Sequence, residues 1–178
     1  EYFYEKPLPH VTELIYCLTK SWNDRQGNRL PLTEQETLLF SVGFGLERVL
    51  IPRQIGLAGI KDGIHYSPDF LDGEMPSELK TTRISSKKGP EAFPEGWMKQ
   101  IQAYMYAEGT QEYHLAVLYL MGNYSPPFPQ LQAWTLYATP EELEENWASL
   151  LHRKEIYLGY INQHRQPEPY AFNESWEC

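Results

Sequence analysis

The stretch SPDFLDGEMPSELKTT, residues 67–82, holds three side chains that could act together: Asp69, Glu78 and Lys80. In an extended chain successive side chains point to opposite faces, so Glu78 and Lys80 share a face while Leu79 points into the other layer. A tight turn at Asp72-Gly73 can fold Asp69, on the preceding strand, back beside Glu78. Two carboxylates brought that close raise each other's pKa unless a cation lies between them. Hard divalent cations such as Mg²⁺ or Mn²⁺ prefer carboxylate oxygens and leave positions for water and phosphate oxygens. A lysine at the same spot can hold or help deprotonate a water and offset charge on a phosphate in transfer. The pattern points to metal-assisted hydrolysis of a phosphodiester.

Such a constellation needs a sheet beneath it and helices around it. His10 to Trp22 carries Val11, Leu14, Ile15 and Leu18 at helical spacing, so residues 1–30 are expected to hold an N-terminal helix bearing Cys17, ended by Gly27-Asn28. Thr33 with Glu36 forms a capping box ahead of an apolar run, which predicts a second helix over 34–50 carrying Glu47 and stopped before Pro52. Strand signals follow: Ile55-Gly56-Leu57, a turn at Lys61-Asp62-Gly63, GIHYSPDFL as one strand, a turn at Asp72-Gly73, then SELKTT. Trp97 to Ala107 regains helical spacing after Pro90 and Pro94, and the continuous apolar run Tyr113–Met121 reads as a strand covered on both faces. LQAWTLYA adds a strand, and Thr139, Pro140 and Glu142 open a long helix reaching about His164. The whole, residues 1–178, reads as one α/β domain.

Pro68-Asp69 followed by Glu78-Leu79-Lys80 resembles the signature of the PD-(D/E)XK nucleases, and the predicted order αβββαβ resembles that superfamily's core. Gly43 to Glu47 is similar to the GxxxE motif of phage-lambda-type exonucleases, and Gln100 to Tyr104 to the QxxxY motif of RecB-like nucleases. Gln100 and Tyr104, four apart, share one helix face. The resemblance spans residues 10 to 110 and implies a restriction-endonuclease-like core with a mixed central sheet flanked by helices. It implies that Glu47, Asp69, Glu78 and the Leu79 carbonyl hold one or two Mg²⁺ or Mn²⁺ ions. Lys80 would position or activate the water, with Gln100 and Tyr104 completing the set. The activity implied is that of a DNA nuclease on single strands or free ends, with 5′ to 3′ polarity, in recombination, viral replication or spacer acquisition. A catalytically silent DNA-binding or scaffold protein on the same fold stays open, as does a dimeric restriction-type endonuclease. Asp62, in Gly59-Ile60-Lys61-Asp62, rivals Asp69 as a ligand, although Asp62-Gly63 reads better as a turn. His65, alone on its strand, reads as structural.

The two cysteines add a second likeness. TELIYCLTKSW and NESWEC resemble the N-terminal cysteine segment and the start of the C-terminal cysteine cluster of CRISPR-associated, RecB-like single-strand exonucleases, which places residues 166–178 in an iron–sulfur region. A 4Fe–4S cluster needs four thiolates, and only Cys17 and Cys178 are present, so two more would have to follow Cys178 in a longer chain; the alternatives are two free thiols and, third, a structural disulfide.

A net charge of −9 excludes a protein that coats nucleic acid nonspecifically. Between Lys80 and Lys99, however, five basic residues face two acidic ones, and Arg83, Lys87, Lys88 and Lys99 are the candidate phosphate contacts, on a loop expected to be mobile without DNA. Trp97, Tyr104 and Tyr106 are candidates for stacking on unpaired bases. No apolar run approaches the roughly 20 residues of a membrane span, and EYFYEKPLPH lacks the layout of a signal peptide, so a cytoplasmic protein with DNA as partner is expected. Self-association and protein partners stay open.

Overall fold

Glu78 and Lys80 sit two apart on one extended strand, Met75–Thr82 (β4). The computed structural model describes residues 8–28, 31–51 and 58–168. Around β4 lie α1 (Val11–Ile15), α2 (Leu18–Arg25), α3 (Glu34–Leu50), β1 (Gly59–Lys61), β2 (Ile64–Tyr66), β3 (Phe70–Asp72), α4 (Glu95–Glu108), β5 (Glu112–Tyr119), β6 (Gln130–Tyr137) and α5 (Pro140–Asn162). The result is a mixed α/β fold in which a mixed four-stranded sheet, ordered β3-β4-β5-β6, is flanked by helices. β4 and β5 run parallel, with Glu78 beside Leu115 and Lys80 beside Val117, while β3 and β6 pair antiparallel at the two edges. The parallel pair requires a crossover, and α4 supplies it. β1 and β2 form a separate hairpin.

One face of the sheet meets the core. Tyr113, Leu115, Val117 and Tyr119 on β5 are buried together with Leu14, Ile15, Ile101, Tyr104, Trp147 and Tyr157 from the helices. The other face is only partly covered, because α3 buries none of its own residues and Leu131 is 57% exposed. β5 is therefore fully covered on one face, not on both: His114 and Ala116 on the other are only half-buried. Among the described residues no helix is long and apolar enough to cross a membrane.

Local chemistry explains where elements start and stop. The capping boxes at Thr33/Glu36 and Thr139/Glu142 form as expected. Residues 10–25 hold two helices instead of one, for the chain leaves helical geometry at Tyr16 and Cys17 caps α2, its sulfur accepting from the Lys20 N–H at 3.5 Å. Buried Arg153 of α5 donates to the carbonyls of Leu14 and Tyr16, which replaces the partners those carbonyls would have found in a continuing helix. The strand expected over GIHYSPDFL is split into β2 and β3 at Ser67-Pro68-Asp69, where proline has no N–H for a ladder. Ile55-Gly56-Leu57 lies outside the described residues. β3 turns into β4 through Gly73-Glu74, with Gly73 at φ 66°, a conformation that glycine adopts without strain.

Candidate active site

The parallel register puts Glu78 and Lys80 on the face of the sheet that packs against α4. Glu78 is 3% exposed, and its Oε1 accepts from Lys80 Nζ at 2.6 Å and from Gln100 Nε2 at 2.9 Å. Gln100 completes the network by accepting from Lys80 Nζ at 3.0 Å and donating to the Tyr104 hydroxyl at 3.0 Å. Gln100 and Tyr104 are both buried, one turn apart on the face of α4 turned toward the sheet. Asp69 occupies the bend before β3, not the strand itself; its Oδ2 accepts from the Leu79 N–H at 2.9 Å, and its own N–H donates to the Ser77 carbonyl at 3.1 Å. The Leu79 carbonyl leaves β4 on the same edge as its N–H, beside Asp69.

Glu47 stands across from this group on α3 and is half-buried. It lines a cleft of about 450 Å³ together with Leu79, Lys80, Arg83 and Trp97. The small residues before it do not bring close packing: a Cβ at Gly43 would meet only Thr81 Oγ1, at 3.7 Å, and one at Gly45 would meet nothing. The cleft, not a tight helix contact, gives Glu47 its place.

Burial dominates the electrostatics. It pushes the Glu78 carboxyl up to about 7 against the pull of Lys80, with Asp69 adding repulsion. Burial also raises Asp69; the Leu79 N–H and Lys80 counteract it, and Glu47 adds to the rise. Burial alone would lower Lys80, but Glu78 and Asp69 together hold it above its ordinary value, so its amine carries a proton at neutral pH. In this arrangement Lys80 offers charge and hydrogen bonds and cannot itself accept a proton. Tyr104 is raised by burial and by Glu78.

Whether a divalent cation fits can be judged from the donors. Among the described residues no three His, Cys, Asp or Glu side chains are gathered as a metal-binding group, so the convergence of Glu47, Asp69 and Glu78 expected from the sequence is not formed here. The reason is that the carboxylates have taken protein partners: Lys80 and Gln100 hold Glu78 Oε1, and the Leu79 N–H holds Asp69 Oδ2. One atom speaks for a missing ligand. Glu78 Oε2 is buried with no hydrogen-bond partner among the described residues, a costly state for a carboxylate that a cation would relieve.

The other candidates fall into place around the cleft or away from it. Arg83 lines it, but Lys87, Lys88 and Lys99 do not. The loop carrying Lys87 and Lys88 is hydrogen-bonded to the sheet: Ser86 N–H donates to the Gly122 carbonyl at 2.8 Å, Ser86 Oγ to Gln130 at 2.6 Å, and Tyr119 Oη to the Lys88 carbonyl at 3.0 Å. Asp62 is engaged elsewhere, its Oδ2 accepting from Trp147 Nε1 at 2.9 Å, so Asp69 is the aspartate beside Glu78. His65 bridges the chain at His10, its N–H donating to the Pro9 carbonyl at 2.8 Å. Of the aromatics offered for stacking, Tyr104 is buried and Tyr106 stacks on Trp147, which leaves Trp97 at the cleft. Cys17 is buried and disulfide-bonded, so its sulfur is neither the free thiol nor the cluster thiolate weighed above; Cys178 lies outside the described residues.

Sequence reasoning missed Tyr113. It is buried on β5 against Tyr104, ring centroids 6.3 Å apart, and its hydroxyl, raised by burial and by Glu78, has no hydrogen-bond partner. A tyrosine opening an apolar run that holds a second one, Tyr119, was the signal available.

No protein-family model and no curated protein matches the chain. Its fold is similar to the crystal structure of SSO0001, with a TM-score of 0.59 at 16% identity over 100% of this chain and 84% of that one. The crystal structure of an alkaline exonuclease (LHK-Exo) from Laribacter hongkongensis matches with a TM-score of 0.47 at 16% identity, covering 83% of this chain and 82% of that one. At such identity the likeness to SSO0001 concerns the fold.

Proposed function

We propose that the chain is a metal-dependent deoxyribonuclease that hydrolyses phosphodiester bonds in single-stranded or free-ended DNA. The observation that carries this reading is Glu78, beside Asp69, whose buried carboxylate is gripped through one oxygen by Lys80 and Gln100 while the other has no hydrogen-bond partner among the described residues. Glu47, Asp69, Glu78 and the Leu79 carbonyl are the groups that would hold Mg²⁺ or Mn²⁺. When bound, such an ion supplies Lewis acidity and lowers the pKa of a coordinated water. The residues do the rest. Lys80, kept protonated, offsets charge on a phosphate entering the cleft, and Arg83 at its rim neutralises a neighbouring one. Gln100 and Tyr104 keep Glu78 in its orientation. In the hydrolysis a water oxygen bonds to phosphorus, the bond to the departing sugar oxygen breaks, and the water's protons are released to solvent and to that oxygen.

Digestion of an end-labelled linear strand with Mg²⁺ or Mn²⁺ tests the reading. Cutting is expected with either metal and is lost in EDTA; Lys80→Ala lowers its rate by about 10²-fold or more, and a circular strand survives. A purified protein that binds the strand but cuts nothing under either metal is instead the noncatalytic binder or scaffold, and cutting of closed circles identifies an endonuclease.

A further inference from the structure

Two phenylalanines in the cleft wall belong to no core. Phe40 and Phe44 on α3 are 45% and 65% exposed, their rings stacked with centroids 6.3 Å apart and planes 28° from parallel. Spaced four apart, they lie on the same helical stripe as Glu47, and all three line the same cleft. At about 1.5 Å of rise per residue, Phe44 stands ~4.5 Å and Phe40 ~10.5 Å along the helix from Glu47. With bases stacked at about 3.4 Å, that interval spans roughly one to three nucleotides beside the reacting phosphate.

The facing wall is cationic, with Lys80 from β4 and Arg83 just beyond its end. An occupant that suits both walls carries negative charge along one side and flat apolar groups along the other. An unpaired DNA strand has that form; a duplex does not, because its bases face one another. A second copy of this chain fits less well, since it brings another net charge of −9 to a cleft that offers cations. The ledge ends at Glu36, whose carboxylate is engaged in capping Thr33 and would repel a phosphate.

We propose that Phe40 and Phe44 form a stacking ledge for the bases of unpaired nucleotides flanking the scissile phosphate, and that this ledge makes the site prefer frayed or single-stranded DNA to paired DNA. The inference rests on the nuclease reading above and deepens it. The test is fluorescence anisotropy of the full chain in EDTA, where no cutting interferes. The probes are a thymidine 12-mer and a strand of the same length and phosphate count in which abasic tetrahydrofuran replaces each nucleoside. The wild type binds the base-bearing strand at least about twenty-fivefold more tightly, roughly fivefold or more for each of the two rings. Phe40→Ala with Phe44→Ala binds both strands alike, and Phe44→Tyr, which keeps a stacking face, retains the preference. Equal binding of the two strands by the wild type overturns the ledge and leaves the nuclease reading standing. Binding of neither strand, together with no cutting of the thymidine strand when Mg²⁺ or Mn²⁺ is added, overturns both. A double variant that keeps its preference but changes its mass in solution assigns the stripe to a second copy, and so overturns the proposal.

Discussion

Glu78 holds a 3% exposed carboxyl against the Lys80 ammonium and the Gln100 amide, and burial still pushes it from 4.5 up to about 7. Between those values the folded chain keeps a proton that the unfolded chain has released, so in EDTA stability falls as pH rises through this window, by about 1.4 kcal/mol per unit at most. Lys80, also raised, has the same sign, but its contribution is present below about 10 and lost only above, outside the window. His10, lowered by burial, loses stability as pH falls through the range below 6.5 and so partly offsets Glu78 in a single curve. The informative quantity is the difference between wild type and Glu78→Gln, followed by urea denaturation from pH 4.5 to 8. The variant, which also strips Lys80 of its ion-pair partner, starts from a lower stability but is expected to gain on the wild type across the window, and Mn²⁺ is expected to raise the melting temperature of the wild type alone. A difference that does not change with pH would remove the raised carboxyl from the account. At this scale the pairing of Glu78 with Lys80 and of Gln100 with Tyr104 was legible, because two-residue and four-residue spacings put side chains on one face whatever surrounds them, while Asp69 reaches the group from a bend and not from the strand expected. Tyr113 and the two phenylalanines were not, since an aromatic in an apolar run is the same letter whether it ends in the core or in a cleft.

Arg153 shows where reading elements from sequence stops. Residues 34–50 and 140–162 are bounded by capping boxes whose partners lie three residues apart, and both helices begin where those letters predict. The break at Tyr16-Cys17 has no glycine or proline behind it; it is secured by a guanidinium 137 residues downstream that donates to Tyr16 and reaches Leu14 as well. Such long-range capping leaves no local trace. The split at Pro68 did have one, and a strand drawn through that proline disregarded the missing N–H. Arg153→Leu is expected to keep the packing volume of α5 while leaving two carbonyls at a buried junction without their donor, at about 1–3 kcal/mol for each. Urea denaturation reads the loss directly. A change below about 1 kcal/mol would mean that water replaces the guanidinium and that the junction is set by α1 and α2 alone.

The whole molecule carries a net charge of −9, yet its candidate substrate is a polyanion. The layers reconcile the two. The mixed order β3-β4-β5-β6 places one cleft at the end of β4, with Arg83 at its rim and Lys87 and Lys88 in the anchored turn beyond. A mixed sheet flanked by helices could be read from the alternation of strand and helix signals, but the incomplete cover of its second face could not, since α3 is apolar enough to be mistaken for a core helix. Few cations and an exposed aromatic stripe together predict binding that depends only weakly on salt. Each phosphate neutralised on a single strand adds about 0.7 to the slope of log affinity against log salt. Lys80 and Arg83 in the cleft, with Lys87 and Lys88 beyond it, then give a slope near −3, or roughly a fiftyfold loss between 50 and 200 mM. Arg83→Gln should flatten the slope by about 0.7, whereas Phe40→Ala with Phe44→Ala should weaken binding at every salt concentration and leave the slope where it was. Titrations of the thymidine 12-mer at four salt concentrations separate these effects. A wild-type slope steeper than about −4 would place the strand on a broader basic surface than this cleft provides, and the aromatic stripe would no longer be needed to explain affinity.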